Sequence, residues 1–248
     1  MSWIYQNLIS LPFNTFIFTP LYNALVLLTA ILPGHSFGLA VIILTLLVRS
    51  AMIPLSHRAL VAQKKMRAIQ PKLNEIKKKI TDREEQARKM MELYREHGIN
   101  PFSGVATLFI QIPIILGLYW VFSSGIEIDQ SILYSFIKAP AQLNTLFLGI
   151  FELTERSVVI AVLVGVTQFI QAHLAMPTLP KSEKDGESTT AEEFSRVLQT
   201  QMKYVLPVFI GFVSLGFPSA LALYWATGNI FSIGHELFVK RKFVESLG

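Results

Sequence analysis

The chain has 248 residues and is 52% hydrophobic, but only 16% of its residues are charged, whereas a typical soluble domain has about 25%. All acidic residues and all but one of the basic residues fall in segments 57–97, 125–157, 177–203 and 236–248, leaving uncharged stretches long enough to cross a bilayer. This distribution excludes an ordinary soluble globular protein, and the absence of cysteine excludes disulfides, thiol catalysis and cysteine-based metal sites.

The N-terminal segment, residues 1–35, is apolar but is interrupted by Pro12, Pro20 and Pro33. Because these prolines leave no unbroken run of about 20 residues, we favour an amphipathic interfacial helix over residues 19–32, with an additional membrane span as the alternative. The segment has no basic n-region, so a cleaved secretory signal or a transit peptide is not expected.

Five membrane-spanning helices are predicted from the remaining apolar stretches. The first, over residues 36–56, contains FGLAVIILTLLVRSAMIPL, which is long enough to cross a bilayer. Pro113 is expected to bend the second. The signal Gly216-Phe217-Pro218-Ser219 predicts a turn between the last two. The later spans are predicted over residues 101–124, 158–176, 203–217 and 218–239.

The connecting segments differ in their number of basic residues. Segments 57–100 and 177–202 and the tail, 240–248, contain nearly all of the lysine and arginine, whereas loop 125–157 has only Lys138 and Arg156. The positive-inside rule therefore predicts that loop 125–157 and the N-terminus lie outside and that the C-terminus is cytoplasmic. Segment 177–202 is polar and is predicted to be a flexible loop.

Segment 57–100 is predicted to form a cytoplasmic hairpin of two helices. Thr81 and Glu84 resemble a capping box at the start of the second helix, and Pro71 is expected to bend the first. The apolar positions recur at helical spacing: Met66, Ile69, Leu73, Ile76 and Ile80 in the first helix, and Ala87, Met90, Met91 and Tyr94 in the second.

Four basic residues at the tip of this hairpin, Lys77, Lys78, Lys79 and Arg83, allow two interpretations. They attract anionic lipid and set the topology, or they dock a nascent chain, a ribosome or a translocon. The sequence leaves both open.

Arg49 is the one charged residue outside the four segments. An arginine at the centre of a span costs about 2.5–3.5 kcal/mol on insertion scales, so an interaction must offset it. One interpretation is that its side chain leans toward the cytoplasmic headgroups. The other is that Arg49 faces a wet cavity, with Thr45 and Ser56 on its helix face.

Other predicted spans also have polar positions, which together favour the cavity: Gln111, Gln168, Gln171, Tyr224, Thr227 and Asn229. No acidic residue is expected in any span, so Arg49 is expected to have no resident partner of opposite charge and can receive one from a ligand.

Enzyme motifs are missing. No pair of membrane-buried aspartates is present for proteolysis, and Val239 stands where the second histidine of a zincin would follow His235-Glu236. The nucleotide-binding loop G-x-x-x-x-G-K-[ST] is also absent. We therefore expect neither enzymatic activity nor a cofactor or metal.

The chain resembles the YidC/Oxa1/Alb3 family of membrane protein insertases over about residues 19–242. The motifs that carry the resemblance occur in order: LTLLVRSAMIPLS, KMRAIQPKLNEIKKK, MMELYREHGINPF, FIQIPIILGLYWVF, GVTQFIQ and LPVFIGFVSLGFPSALALYWATGNIFSI.

The resemblance implies an all-α membrane protein of the bacterial plasma membrane, in which five helices enclose a hydrophilic groove open to the cytoplasm. Arg49 would lie in that groove, lined or bordered by residues such as Gln111, Gln171 and Trp225. The sequence has no counterpart of the external domain, the lipobox cysteine or the long basic tail of the larger members, so strong ribosome binding through the tail is not expected.

The favoured function is therefore an insertase and chaperone for newly made membrane proteins. The expected partners are nascent membrane proteins and the lipid bilayer, with the Sec translocon and the ribosome as candidates and no direct DNA binding. The alternative is a small anion transporter or channel that uses Arg49 as its binding charge.

Overall fold

A computed structural model describes residues 13–100, 103–123, 128–175, 197 and 200–245. Most of the predicted flexible loop, 177–202, lies outside them, and so does the side chain of Lys78. The described chain is mostly helical, as predicted. The elements are, in chain order, α1 (Thr19–Ile31, after a π-helical turn Asn14–Phe18), α2 (Phe37–Ala51), α3 (Ile53–Ala68), α4 (Gln70–Lys79), α5 (Arg83–Glu96), α6 (Ser103–Ser123), β1 (Leu146–Phe147), β2 (Phe151–Glu152), α7 (Val158–Ala175), α8 (Leu206–Ser214, after a π-helical turn Gln201–Val205) and α9 (Ser219–Glu245).

The first predicted span, residues 36–56, is wrong at its C-terminal end. Helix α2 ends at Ala51, and α3 begins at Ile53 after a break at Met52. Pro54 explains the break, because it has no N–H to donate to the carbonyl of Ser50 in a continuous helix. Ser56 is predicted from the sequence to lie on the same helix face as Arg49. That expectation is wrong, because the two residues lie in different helices.

The hairpin segment also differs in detail from its prediction. Pro71 occupies the first turn of a separate helix, α4, rather than bending a longer one, because proline is tolerated where N–H groups have no helical partner. The N-cap of α5 is Asp82 and not Thr81, since the Asp82 carboxylate accepts hydrogen bonds from the backbone N–H groups of Glu84 and Glu85.

Packing within the hairpin segment is centred on four buried side chains. Met66, Ile76, Met90 and Tyr94 pack around them, whereas Ala87 and Met91 are exposed. The four are Ile69, Leu73, Leu93 and Ile99.

The C-terminal helix is longer than its predicted span, 218–239. Helix α9 continues to Glu245 through part of the predicted tail, since that part contains no proline or glycine and its cations suit a helix C-terminus. Glu236 lies within it and is only 5% exposed, so the expectation of spans without an acidic residue is wrong.

The chain divides into two compact units. One comprises residues 1–49 and 114–237, and the other comprises residues 50–113 and 238–248. The core of the first unit combines buried apolar residues of α1, α2, α6, α7 and α9, including Leu25, Val41, Leu118, Val164 and Leu221.

Length and hydropathy identify fewer membrane spans than predicted. Among the described residues, Asn14–Ile31 and α7 qualify, and α2 with α3 qualifies as a third span if the bent pair is counted as one. The five-span arrangement therefore stays a prediction, as does the choice between an interfacial helix and a span near the N-terminus. Helix α1 contacts the loop that follows α6, because Asn23 donates to the carbonyl of Ile132 and accepts from the N–H of Tyr134.

Candidate functional site

Three helices begin beside the same loop, residues 128–157. The Phe37 N–H donates to the carbonyl of Asn144 at 2.9 Å, which ties the start of α2 to the loop. The Ser219 N–H donates to the carbonyl of Glu155 at 2.7 Å, which does the same for α9. Helix α7 follows the loop directly, so α2, α7 and α9 all begin beside it.

Arg49 lies near the far end of α2, against the backbone of α9. It is twelve residues beyond Phe37, about 18 Å along the helix axis. A Cβ added to Gly228 would lie 2.6 Å from Nη2 and 2.9 Å from Nε of Arg49, so the guanidinium occupies the space that a side chain would take. Gly228 is buried and therefore acts as a platform for Arg49.

Arg49 has no ion-pair partner among the described residues. Its Nε is buried and has no hydrogen-bond partner among them. The surface ion pairs of Lys79 with Glu75 and of Lys89 with Glu92 do not involve it. A buried donor left without a partner costs about 1–3 kcal/mol or more when charged, so the site is suited to an incoming acceptor.

Residues spaced by four positions lie on the face of α9 that contacts Arg49. Tyr224 lies one turn before Gly228, and Ser232 lies one turn after it and donates to the Gly228 carbonyl at 2.8 Å. Tyr224 is 2% exposed and belongs to the apolar core, whereas Trp225 is half-buried at its edge.

A polar contact joins α7 to α9 at a similar depth. Asn229 donates from Nδ2 to Oγ1 of Thr167 at 3.1 Å, and both residues are buried. Gln171 lies one turn beyond Thr167 on the same face of α7. Its Oε1 is buried without a hydrogen-bond partner in the described part of the chain, so α7 contributes an acceptor with unused capacity.

Two other predicted groove residues have different surroundings. Thr45 is fully buried, and its hydroxyl donates to the carbonyl of Val41, so its bonding is satisfied within α2. Gln111 lies in α6, half-buried, within the second unit.

The predicted docking residues lie around the turn between α4 and α5. Lys77, Lys79 and Arg83 are exposed, and Lys79 pairs with Glu75 at 3.3 Å on the surface. Such exposed pairs contribute little to stability, so these cations are available to a partner. Gln86 holds the turn by donating to the carbonyls of Lys77 and Ile80.

Sequence reasoning missed Gly228, although one signal was available. A glycine inside a helix costs roughly 1 kcal/mol relative to alanine, so its presence in a membrane span calls for a packing reason. In the sequence Thr227-Gly228-Asn229, only the two polar residues were predicted to contribute to the cavity. The bulk of Arg49 supplies the reason for the glycine.

The loop that anchors the helices contains carboxylates with displaced pKa values. Hydrogen bonds from the Ser131 hydroxyl and N–H lower the pKa of Asp129. Burial alone would raise the pKa of Glu152, but hydrogen bonds from Thr145 and Thr154 outweigh it and lower that pKa. Both carboxylates are thus bonded in their charged form.

Within the described residues, no cluster of histidine, aspartate or glutamate is arranged to hold a metal.

Known proteins resemble the chain over most of its length. The family described as 60Kd inner membrane protein matches residues 28–246. A membrane protein insertase YidC of Oceanobacillus iheyensis is 32% identical over 213 residues, which is 84% of this chain and 76% of that protein. A membrane protein insertase YidC of Pelobacter propionicus is 31% identical over 83% of this chain.

A solved structure is similar as well. The crystal structure of an active YidC insertase with its first transmembrane domain resolved superposes with a TM-score of 0.56 at 26% identity. The match covers 91% of this chain and 46% of that chain. The chain likewise spans 35% of the Pelobacter propionicus protein, so several of these relatives are considerably longer.

Proposed function

The chain belongs to the YidC/Oxa1/Alb3 family of membrane protein insertases, and from that premise we propose that it inserts newly made proteins into the bacterial inner membrane and assists their folding. The similar proteins named as insertases favour this function over a small anion transporter or channel.

One observation carries the mechanism. The guanidinium of Arg49 packs against Gly228, and its buried Nε has no hydrogen-bond partner among the described residues. An acidic residue in hydrocarbon costs about 2.5–3.5 kcal/mol on insertion scales. A cation held inside the membrane offsets part of that cost for the acidic tail of a substrate. Gln171 offers the second polar group with unused bonding capacity.

We propose that these groups line a groove open to the cytoplasm, with Gln111 and Trp225 as further members from the family resemblance. Arg49 is about 18 Å from the loop end of α2 in an apolar layer of about 30 Å, so a wet groove leaves only about 18 Å for a hydrophilic tail to cross. Thr45 and Tyr224 support the groove as buried members of the helix faces behind it.

The apolar part of the substrate leaves the groove sideways. Exposed residues of α7, among them Val162, Val166 and Phe169, and Ile230 of α9 offer it an apolar surface beside the lipid. Each leucine, isoleucine or valine that enters the bilayer gains roughly 0.3–0.6 kcal/mol, so insertion is downhill and needs no nucleotide.

Orientation follows from the basic residues and from the shared loop. Because α2, α7 and α9 all begin beside loop 128–157, we infer that their far ends share one side of the membrane. Segment 57–100 and the tail hold most of the lysine and arginine, so that side is proposed to be the cytoplasm, with the N-terminus outside.

Substrates and partners are proposed to arrive at the cytoplasmic hairpin. Lys77, Lys79 and Arg83 are exposed there, and Lys78 belongs to the same basic run. The chemistry suits an acidic nascent chain, ribosomal RNA or anionic lipid. The Sec translocon stays a candidate partner.

The proposal is tested in cells depleted of their own insertase and supplied with wild-type protein, Arg49→Lys or Arg49→Ala. If Arg49 offsets half of the cost of an acidic residue, Arg49→Ala slows insertion of a single-span substrate with an acidic tail about ten-fold. Arg49→Lys should retain much of the rate. Normal insertion with Arg49→Ala, at equal protein level, contradicts the role of the charge.

A further inference from the structure

The loop that anchors the three helices contains an apolar hairpin whose tip is covered by none of the described residues. Strands β1 and β2 pair antiparallel, with Leu146 opposite Glu152 and Phe147 opposite Phe151. Leu148 and Ile150 at the turn are 72% and 70% exposed, and residues 139–151 contain no charged side chain. A soluble loop tip normally has polar residues here.

The backbone of the turn makes this apolar residue choice costly. Leu148 and Gly149 both have positive φ, at 55° and 73°, and the Ile150 N–H donates to the Phe147 carbonyl at 3.2 Å. Such a turn prefers asparagine or aspartate followed by glycine. A leucine in the left-handed region is strained, so an exposed leucine here indicates a compensating interaction.

The base of the hairpin lies at the level where α2 begins. The parallel bridge between Ser36 and Asn144 and the hydrogen bond from Phe37 to Asn144 fix this height. Phe147 packs so closely on Gly38 that a Cβ there would overlap its ring, and Leu153 is fully buried behind it. The base of the hairpin is therefore packed against the start of α2, which places the tip beside that end of the helix.

We propose that the tip of this hairpin, Leu148 to Ile150, inserts into the lipid headgroup and upper acyl region of the leaflet at which α2, α7 and α9 begin. The ligand is the bilayer itself. The flanking charges agree with this partner, because Lys138 and Glu152 border the uncharged stretch on its two sides and would remain at the polar surface. The contact anchors the loop from which the three helices start. It requires those helices to cross the bilayer, but it does not depend on insertase activity.

The test uses the absence of native cysteine. Ile150→Cys and Gln142→Cys are labelled singly with an environment-sensitive fluorophore in the full chain, in liposomes of phosphatidylethanolamine and phosphatidylglycerol. Gln142 is exposed in the same uncharged stretch but lies outside the hairpin, so it is the matched control. Nitroxide lipids report contact with the bilayer, and aqueous iodide reports contact with water.

Insertion predicts that a nitroxide near the headgroup quenches Ile150→Cys about two-fold or more above Gln142→Cys, because interfacial side chains enter about 5–10 Å. Leu148→Asn should reduce that quenching while relieving the turn. Strong iodide quenching at both sites, without lipid quenching, overturns the proposal. Protection of Ile150→Cys from both quenchers also overturns it, because a protein would then cover the tip.

Discussion

Gly228→Ala separates the position of the Arg49 charge from the stability of the helix that supports it. The new Cβ would lie 2.6 Å from Nη2, whereas ordinary contact begins at 3.4 Å, so the guanidinium must move by about 0.8 Å. It is the far end of a flexible side chain and can move. Alanine should also favour helix α9 by up to roughly 1 kcal/mol, so the fold is expected to persist.

The electrostatic effect follows from the size of this displacement. At an effective dielectric constant of about 20, two unit charges attract by about 4.2 kcal/mol at about 4 Å and by about 3.5 kcal/mol at about 4.8 Å. If the guanidinium moves away from the substrate carboxylate, about 0.7 kcal/mol of attraction is lost. Insertion of a substrate with an acidic tail should therefore slow about three-fold.

The assay compares Gly228→Ala with Gly234→Ala in proteoliposomes that contain equal amounts of protein. Gly234 lies in the same helix, and a Cβ there meets nothing within 4 Å, so this control changes helix propensity without displacing Arg49. Insertion of a neutral-tail substrate should be equal for both variants and the wild type. Equal rates for both variants on the acidic-tail substrate would refute Gly228 as the platform for Arg49.

Three further predictions concern stability. Asp82→Ala removes the N-cap of α5 and should lower the stability of that helix by about 1 kcal/mol. The loss should appear as faster hydrogen exchange in residues 83–96, and unchanged exchange would contradict the cap. In a double-mutant cycle, Asn229→Ala and Thr167→Ala should couple by about 0.6 kcal/mol, as is usual between membrane helices; additive effects on unfolding would argue against the bond. The carboxylates of Asp129 and Glu152 have pKa values below their ordinary 3.8 and 4.5, so their stabilisation is complete above those values and is lost as the pH falls through the lowered pKa values. Hydrogen exchange of loop 128–157, corrected for the intrinsic rate, should accelerate in that acid range, and an unchanged rate would count against these bonds.

Much of the helical architecture was predictable because its causes are local. The spacing of Ile69, Leu73 and Leu93 follows helix periodicity, and these residues are buried together in the hairpin segment. Pro54 and Pro71 are expected to interrupt a helix. The sequence alone does not determine whether a proline bends a helix or lies in the first turn of a new one.

The site was predictable only in part. Arg49 stands out because a charge in an apolar span is costly, which any charge count reveals. Its neighbour Gly228 is 179 positions away, and its role depends on a helix contact that no local pattern encodes. The apolar hairpin tip was also missed, because two-residue strands with one tight turn leave too short a pattern to detect.

A charge-reversal experiment tests the central claim most directly. Wild-type protein and Arg49→Glu, at equal levels in the membrane, are each given single-span substrates that differ only in an acidic or a basic tail. Attraction by Arg49 predicts that the reversal slows the acidic-tail substrate and speeds the basic-tail substrate. Equal slowing of both substrates would contradict the claim that the charge of Arg49 acts on the tail.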